Sequence, residues 1–144
     1  MRQDCTIKYF RVADITIKVQ SEYPISKKTF HSKFDRFEVF GKSDDIITIS
    51  HHFKSAEKAG ILPEGLKEIY KKDQWHIFKS DYSWVYCYTS LFLDAIVEKA
   101  IGIMNTDYSD IHIYAENITQ EKYSVGRFPA LTLFNTDQMI FAKL

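Results

Sequence analysis

The sequence predicts an α+β domain, mostly antiparallel sheet with one or two short helices, one of them C-terminal. Three observations carry the prediction. Apolar and polar residues alternate over 14–20 and again over 111–115, the period of a half-buried strand. Aromatic-rich runs between 66 and 89 are separated by short polar links, as in antiparallel hairpins. A capping sequence, Asn135-Thr136, precedes an apolar stripe that runs to the last residue. With 144 residues the chain fits one domain, 1–144. Its 45% hydrophobic content and zero net charge exclude global disorder.

Ile15, Ile17 and Val19 point one way and Asp14, Thr16, Lys18 and Gln20 the other, which makes 14–20 a strand. Tyr9 to Val12 begins the same strand or its partner across a bend near Ala13-Asp14, and Tyr23-Pro24 is expected to end it. Phe30, Phe34, Phe37 and Phe40 fall on one helical face, yet Phe37, Val39 and Gly41 also suit a strand end. The reading is a short helix or turn at 26–35 and a strand near 36–40. Ile46 to His51 is a strand with Ile47 and Ile49 inward. Gly60, Pro63 and Gly65 punctuate an irregular 54–65 with room for one helical turn.

Leu66–Tyr70, Trp75–Lys79 and Trp84–Thr89 then form a meander. Trp84, Tyr86 and Tyr88 share one face, opposite Val85, Cys87 and Thr89. Ala95 to Met104 suit helix or strand, and Gly102 tips 97–104 to strand. Asn105-Thr106-Asp107 is a turn, and Ile111, Ile113 and Ala115 mark the next strand. Met139, Ile140, Phe141 and Leu144 give the final helix its stripe. That helix has barely two turns, and helices so short need packing. The expectation is a polypeptide that continues past Leu144.

The composition and motifs exclude several functions. Nineteen basic against nineteen acidic residues is not the balance of a general nucleic-acid or anionic-membrane binder. The longest uncharged run, Tyr82 to Leu93, is far short of the roughly 20 residues of a spanning helix. No apolar leader follows Met1-Arg2, and Cys5 and Cys87 match no metal or redox spacing, so a cytoplasmic chain with reduced thiols is expected. The glycines Gly41, Gly60, Gly65, Gly102 and Gly126 form no phosphate loop, and no cofactor is expected.

The chemistry-bearing residues are scattered. His51 and His52 point to opposite faces of one strand. His76 and His112 could form a pair only if their strands are neighbours, and zinc sites usually need three or four ligands. Asp44-Asp45 and Asp107/Asp110 flank turns, where Asp bonds nearby backbone. Cys87 lies mid-strand among aromatics, the setting of an inert thiol. The stretch Lys27–Arg36 mixes lysine with phenylalanine. It reads as an amphipathic segment, although the same mix suits single-stranded nucleic acid. No catalytic, metal or cofactor-binding residue is assigned. The candidate interaction surface is Trp84, Tyr86 and Tyr88, with Met139, Ile140 and Phe141. Tyr and Trp are enriched at interfaces because they join apolar area to a polar tip.

Three segments together support a family resemblance. Tyr9-Phe10-Arg11-Val12-Ala13-Asp14-Ile15-Thr16-Ile17 resembles the start of bacterial HPr-kinase-related proteins, which are PEP-carboxykinase-like P-loop proteins. Asp110-Ile111-His112-Ile113-Tyr114 is similar to their middle. Phe134 to Leu144 resembles the helix that leads into their ATP-binding domain. The phosphate loop itself has no counterpart here. The resemblance implies a non-catalytic accessory or interaction domain, the N-terminal part of a longer ATP-dependent protein, with the downstream kinase-like domain as a partner. The alternative is a free-standing small-ligand or peptide-binding protein that uses the aromatic sheet face. A weak homodimer is expected, through a sheet edge or the C-terminal helix. The zero charge is itself uneven: residues 1–72 carry 14 basic and 10 acidic groups, and residues 73–144 carry 5 and 9.

Overall fold

A computed structural model describes residues 5–12, 14–29, 32–40, 46–72, 75–92, 95–107, 109–116 and 118–125. The strands are β1 (Cys5–Val12), β2 (Ile15–Ile25), β3 (Glu38–Val39), β4 (Ile46–His52) and β5 (Lys67–Lys72). They continue with β6 (Trp75–Lys79), β7 (Ser83–Phe92), β8 (Ala95–Asn105) and β9 (Asp110–Ala115). A 3-10 helix (Ser32–Phe37) precedes β3, and a single helix turn, α1 (Gln120–Ser124), follows β9.

All nine strands join one sheet in the order β3-β1-β2-β4-β9-β8-β7-β6-β5. Strands β5 to β9 form an antiparallel meander, each paired with the next. Strands β3, β1 and β2 form a second antiparallel unit. Strand β4 stitches the two together and is parallel to both β2 and β9. The mostly antiparallel sheet is as expected, but the seam is parallel. Parallel neighbours need long crossovers, here residues 26–45 and 53–109, and no local turn announces them.

The β1–β2 hairpin turns where the sequence bends. Val12 pairs with Ile15, and Asp14 takes φ 67, a left-handed conformation that Asp tolerates through local hydrogen bonding. Strand β2 runs past Tyr23-Pro24 to Ile25, contrary to expectation. Its parallel ladder with β4 ends at Ser21, and its register with β1 shifts between Ile7 and Cys5. Pro24 lies within that irregularity, the setting in which strands accept a proline. The short helix or turn expected at 26–35 is found as the 3-10 helix Ser32–Phe37, and the strand expected near 36–40 as β3, Glu38–Val39. Phe37 packs against the core, whereas Phe40 is almost fully exposed. Phe30 lies outside the described residues.

The main core lies on one sheet face. The register sets Val19, Ile49, Ile111, Met104 and Trp84 in one row across β2, β4, β9, β8 and β7. The first four are at most 1% exposed. Each such aliphatic side chain contributes about 1.5–3 kcal/mol by burial, so the row holds the parallel seam closed. Helix α1 anchors to this face through Tyr123, which is 1% exposed. The Thr119 side chain caps α1 by accepting from the Lys122 amide at 3.1 Å. The Tyr23 hydroxyl donates to the Ile118 carbonyl at 3.2 Å, and Tyr23 stacks on Phe53 at 4.0 Å.

The opposite face of the meander carries a smaller core of Ala56, Val85, Ile101 and Tyr114. Edge strand β5 is exposed at all six residues. It carries Lys67, Lys71 and Lys72 and a register shift between Glu68 and Tyr70. Lysines and bulges on an edge oppose further pairing. Among the described residues no helix is long and apolar enough to cross a membrane. The C-terminal helix expected from Asn135 onward lies outside the described residues.

Candidate functional site

A cavity of about 360 Å³ lies on the smaller-core face of β6–β8. The register brings His76, Cys87 and Ile101 side by side, and Phe78 beside Val85. All five line the cavity. Leu62 and Leu66 line it from the connection between β4 and β5. Ala56, 1% exposed, ties that connection to the sheet. One helical turn follows: the amides of Ala59, Gly60 and Ile61 donate to the carbonyls of Ser55, Glu57 and Ala56. Gly60, at φ 69, ends the turn in the left-handed conformation that glycine adopts without steric cost.

Four charged or titratable groups, Glu57, His76, Cys87 and Lys99, join the apolar lining. Lys99 donates to Glu57, and that hydrogen bond, with the Glu57 charge, holds the ammonium above its ordinary value. His76 Nδ1 lies 3.1 Å from Glu68 Oε2. Burial pushes the Cys87 thiol up to about 11. At neutral pH Cys87 is a protonated, weakly nucleophilic wall group. The cavity therefore has an apolar body, an ion pair and an imidazole, the usual make-up of a small-molecule site.

A second polar assembly crosses the seam on the same sheet face. Glu22 of β2, His52 of β4 and His112 of β9 form a row. His52 Nδ1 lies 3.3 Å from Glu22 Oε2, and His52 Nε2 lies 2.9 Å from His112 Nδ1. His112 Nε2 lies 3.4 Å from Asp110 Oδ1. The Phe53 amide donates to Glu22 Oε1 at 3.0 Å, and Tyr114 stacks on His52 at 4.6 Å. Burial holds His52 below its ordinary value against the pull of Glu22, with His112 and Lys54 adding to the depression. Burial pulls Glu22 upward, but the Phe53 amide, His52 and Lys54 outweigh it, so the carboxyl lies below its ordinary range.

Among the described residues no group of three or more His, Cys, Asp or Glu side chains could hold a metal ion. His76 and His112 do not meet, because β7 and β8 lie between their strands. His51 and His52 do face opposite ways: His51 Nδ1 meets the Tyr123 hydroxyl at 2.8 Å on the core face. Asp107 serves its turn, accepting from the Ser109 amide and hydroxyl at 3.1 and 2.7 Å. Asp44-Asp45 lies outside the described residues. Lys27 and Lys28 are exposed.

Trp84, Tyr86 and Tyr88 do share a face. They are half-buried against the main core, with Trp75 4.9 Å from Tyr88 and Lys79 Nζ 4.7 Å above Trp84. The cavity opens on the other face of the same strand, beside Val85 and Cys87. Met139, Ile140 and Phe141 lie outside the described residues. Sequence reasoning missed the Glu22–His52–His112 row, because it exists only in the parallel register of β2, β4 and β9. It also missed the cavity, whose walls at Leu62 and Leu66 come from a segment without periodicity. No family model, no curated protein and no solved structure matches this chain.

Proposed function

We propose that this domain is a non-catalytic binding module that takes a small amphipathic molecule in the cavity over β6–β8. The carrying observation is that cavity: about 360 Å³, walled by Leu62, Leu66, Phe78, Val85, Cys87 and Ile101, with Lys99 and Glu57 at its charged part. An apolar body fits the walls, and a polar head finds the Lys99–Glu57 pair. The reading is non-catalytic because the Cys87 thiol is held protonated and the ion pair is engaged with itself. A reducing, cytoplasmic setting suits the free thiol of Cys87.

The test is a fluorescence titration of the full chain with 8-anilinonaphthalene-1-sulfonate, an apolar probe with one anionic head. Wild type is expected to bind saturably at one site. Leu66→Trp, which fills the cavity from its half-buried rim, is expected to abolish that site at an unchanged melting temperature. Absence of saturable binding, or equal binding by L66W, overturns the reading.

The resemblance of residues 134–144 to the helix before an ATP-binding domain supports a second step. In that reading the module serves a longer HPr-kinase-related protein as an accessory part. The downstream coding sequence tests it, and a phosphate-loop motif there is the expected result. The weak homodimer remains a proposal as well. Its sheet-edge route meets the lysines of β5, and light scattering at high concentration tests it.

A further inference from the structure

We propose that the cavity over β6–β8 takes an apolar chain ending in one carboxylate, and that this carboxylate binds Lys99 in place of Glu57. The inference rests on the binding-module reading above and names the chemistry of its ligand.

The register lays the site out as a line. Three rows of residues cross the cavity face: Thr89 beside Lys99, then His76, Cys87 and Ile101, then Phe78, Val85 and Ile103. Successive rows are two residues apart along β7 and β8. At about 3.4 Å per residue, the first row lies roughly 14 Å from the third. That distance, less one hydrogen bond to the ammonium, is the reach of a straight chain of about ten bonds. The charge sits at one end of the line, at Lys99, and the apolar walls Phe78 and Val85 at the other. His76, in the middle row, is engaged with Glu68 of β5 at 3.1 Å.

The two members of the ion pair are not equally fixed. Lys99 belongs to β8, an interior strand of the sheet. It pairs with Thr89 of β7, and its carbonyl accepts from the Glu116 amide at 3.3 Å. Glu57 belongs to the turn after β4, where residues 57–61 are all exposed and Ala56 is buried. The Lys99 side chain is 29% exposed and that of Glu57 49%. Rotation of Glu57 carries its carboxylate into water and leaves the sheet untouched. Exposed pairs of this kind hold together by a factor of about five at most. Glu116 also acts on Lys99, but more weakly than Glu57 does.

The hydrogen bond from Lys99 to Glu57 is itself a carboxylate contact at the head of the line. A ligand carboxylate brings the same charge and acceptor oxygens, together with an apolar chain that Glu57 lacks. Burial of that chain against Leu62, Leu66, Phe78 and Ile101 tips the exchange toward the ligand. An amine head would have to displace Lys99 instead, the anchored member of the pair.

The test is titration calorimetry of the full chain near neutral pH with decanoate, 1-decanol and decylamine, three heads on one tail. Wild type is expected to take one equivalent of decanoate, about tenfold or more tighter than either of the others. Lys99→Met is expected to bring decanoate down to the level of decanol, with decanol binding retained as the sign of an intact cavity. Glu57→Gln is expected to tighten decanoate by about two- to fivefold and to leave decanol unchanged. Equal binding of decanoate and decanol, or tighter binding of decylamine, overturns the carboxylate assignment and leaves the binding module standing. Unchanged or weaker decanoate binding by Glu57→Gln overturns the displacement. Binding of none of the three overturns both readings.

Discussion

The chemistry of the cavity is most directly read through Cys87. Its thiol is pushed up to about 11 from an ordinary value of 9.0 by burial. At any pH below both values the thiolate population is then about 100-fold lower than for an ordinary thiol. Each remaining thiolate is more nucleophilic. A Brønsted coefficient of about 0.4–0.5 returns roughly 6–10-fold of that loss. The net expectation is a reaction with a disulfide reagent about 10–16-fold slower than a free thiol, before any steric hindrance by Leu62 and Leu66.

The assay is the pseudo-first-order rate with 5,5′-dithiobis(2-nitrobenzoate) in a Cys5→Ser background, measured from pH 7 to 10. The rate is expected to climb about tenfold per pH step and show no plateau in that range. Saturating anilinonaphthalene sulfonate is expected to slow it further, because probe and thiol share one cavity. A plateau below pH 9, or a rate equal to that of free cysteine, would refute the burial argument. An unchanged rate under saturating probe would separate the bound probe from the Cys87 wall and count against the proposed site.

Three other outcomes are expected. Ile49→Ala, in the five-strand row between Val19 and Ile111, is expected to cost about 2–5 kcal/mol in urea unfolding, and Ile49→Val about 0.5–1.5 kcal/mol. Tyr123→Phe removes the 2.8 Å contact to His51 and is expected to cost about 0.5–1.5 kcal/mol, whereas Tyr123→Ala also empties the site against α1 and is expected to cost about 3–5 kcal/mol. Stability is expected to fall with acid in two stages. His52 lies below its ordinary 6.5 in the folded chain, so the unfolded chain binds the proton first, and the His52 contribution, present above pH 6.5, is lost below it. Glu22 lies below its ordinary 4.5, and its contribution is lost as the pH falls further. Urea midpoints at pH 7.5, 5.5, 4.5 and 3.5 check both signs.

The parts legible in the sequence are those whose cause is local. The alternation of Ile15, Ile17 and Val19 fixes which side of β2 is buried, and Ile47, Ile49, Ile111 and Ile113 do the same for β4 and β9. Polar links between aromatic runs announce β5, β6 and β7 because a hairpin is closed by its own turn. Gly102 marks β8 as strand, and there it pairs with Tyr86 and Ile113. The parallel seam is not legible, since its partners are joined only through long crossovers. Helix α1 is not legible either. Five residues are too few for periodicity, and Thr119 as a cap gains meaning only once Tyr123 is seen in the core.

The two faces divide the work for the same reason. On the core face, side chains from β2, β4, β9 and β8 meet as one aliphatic row. Little there is free to respond to a ligand without loss of packing. On the other face the seam puts polar residues side by side: Gln20 donates to Ser50 at 2.8 Å, and Glu22, His52 and His112 follow. Half-exposed polar contacts are worth only modest net energy, so they can open without unfolding the sheet. The cavity behind Leu62 and Leu66 shares that face, and Tyr114 joins the two regions: it packs in the cluster with Val85 and Ile101 and stacks on His52. A change in either region thus has a physical contact through which the other can feel it, while the row of Val19, Ile49, Ile111 and Met104 keeps the sheet intact.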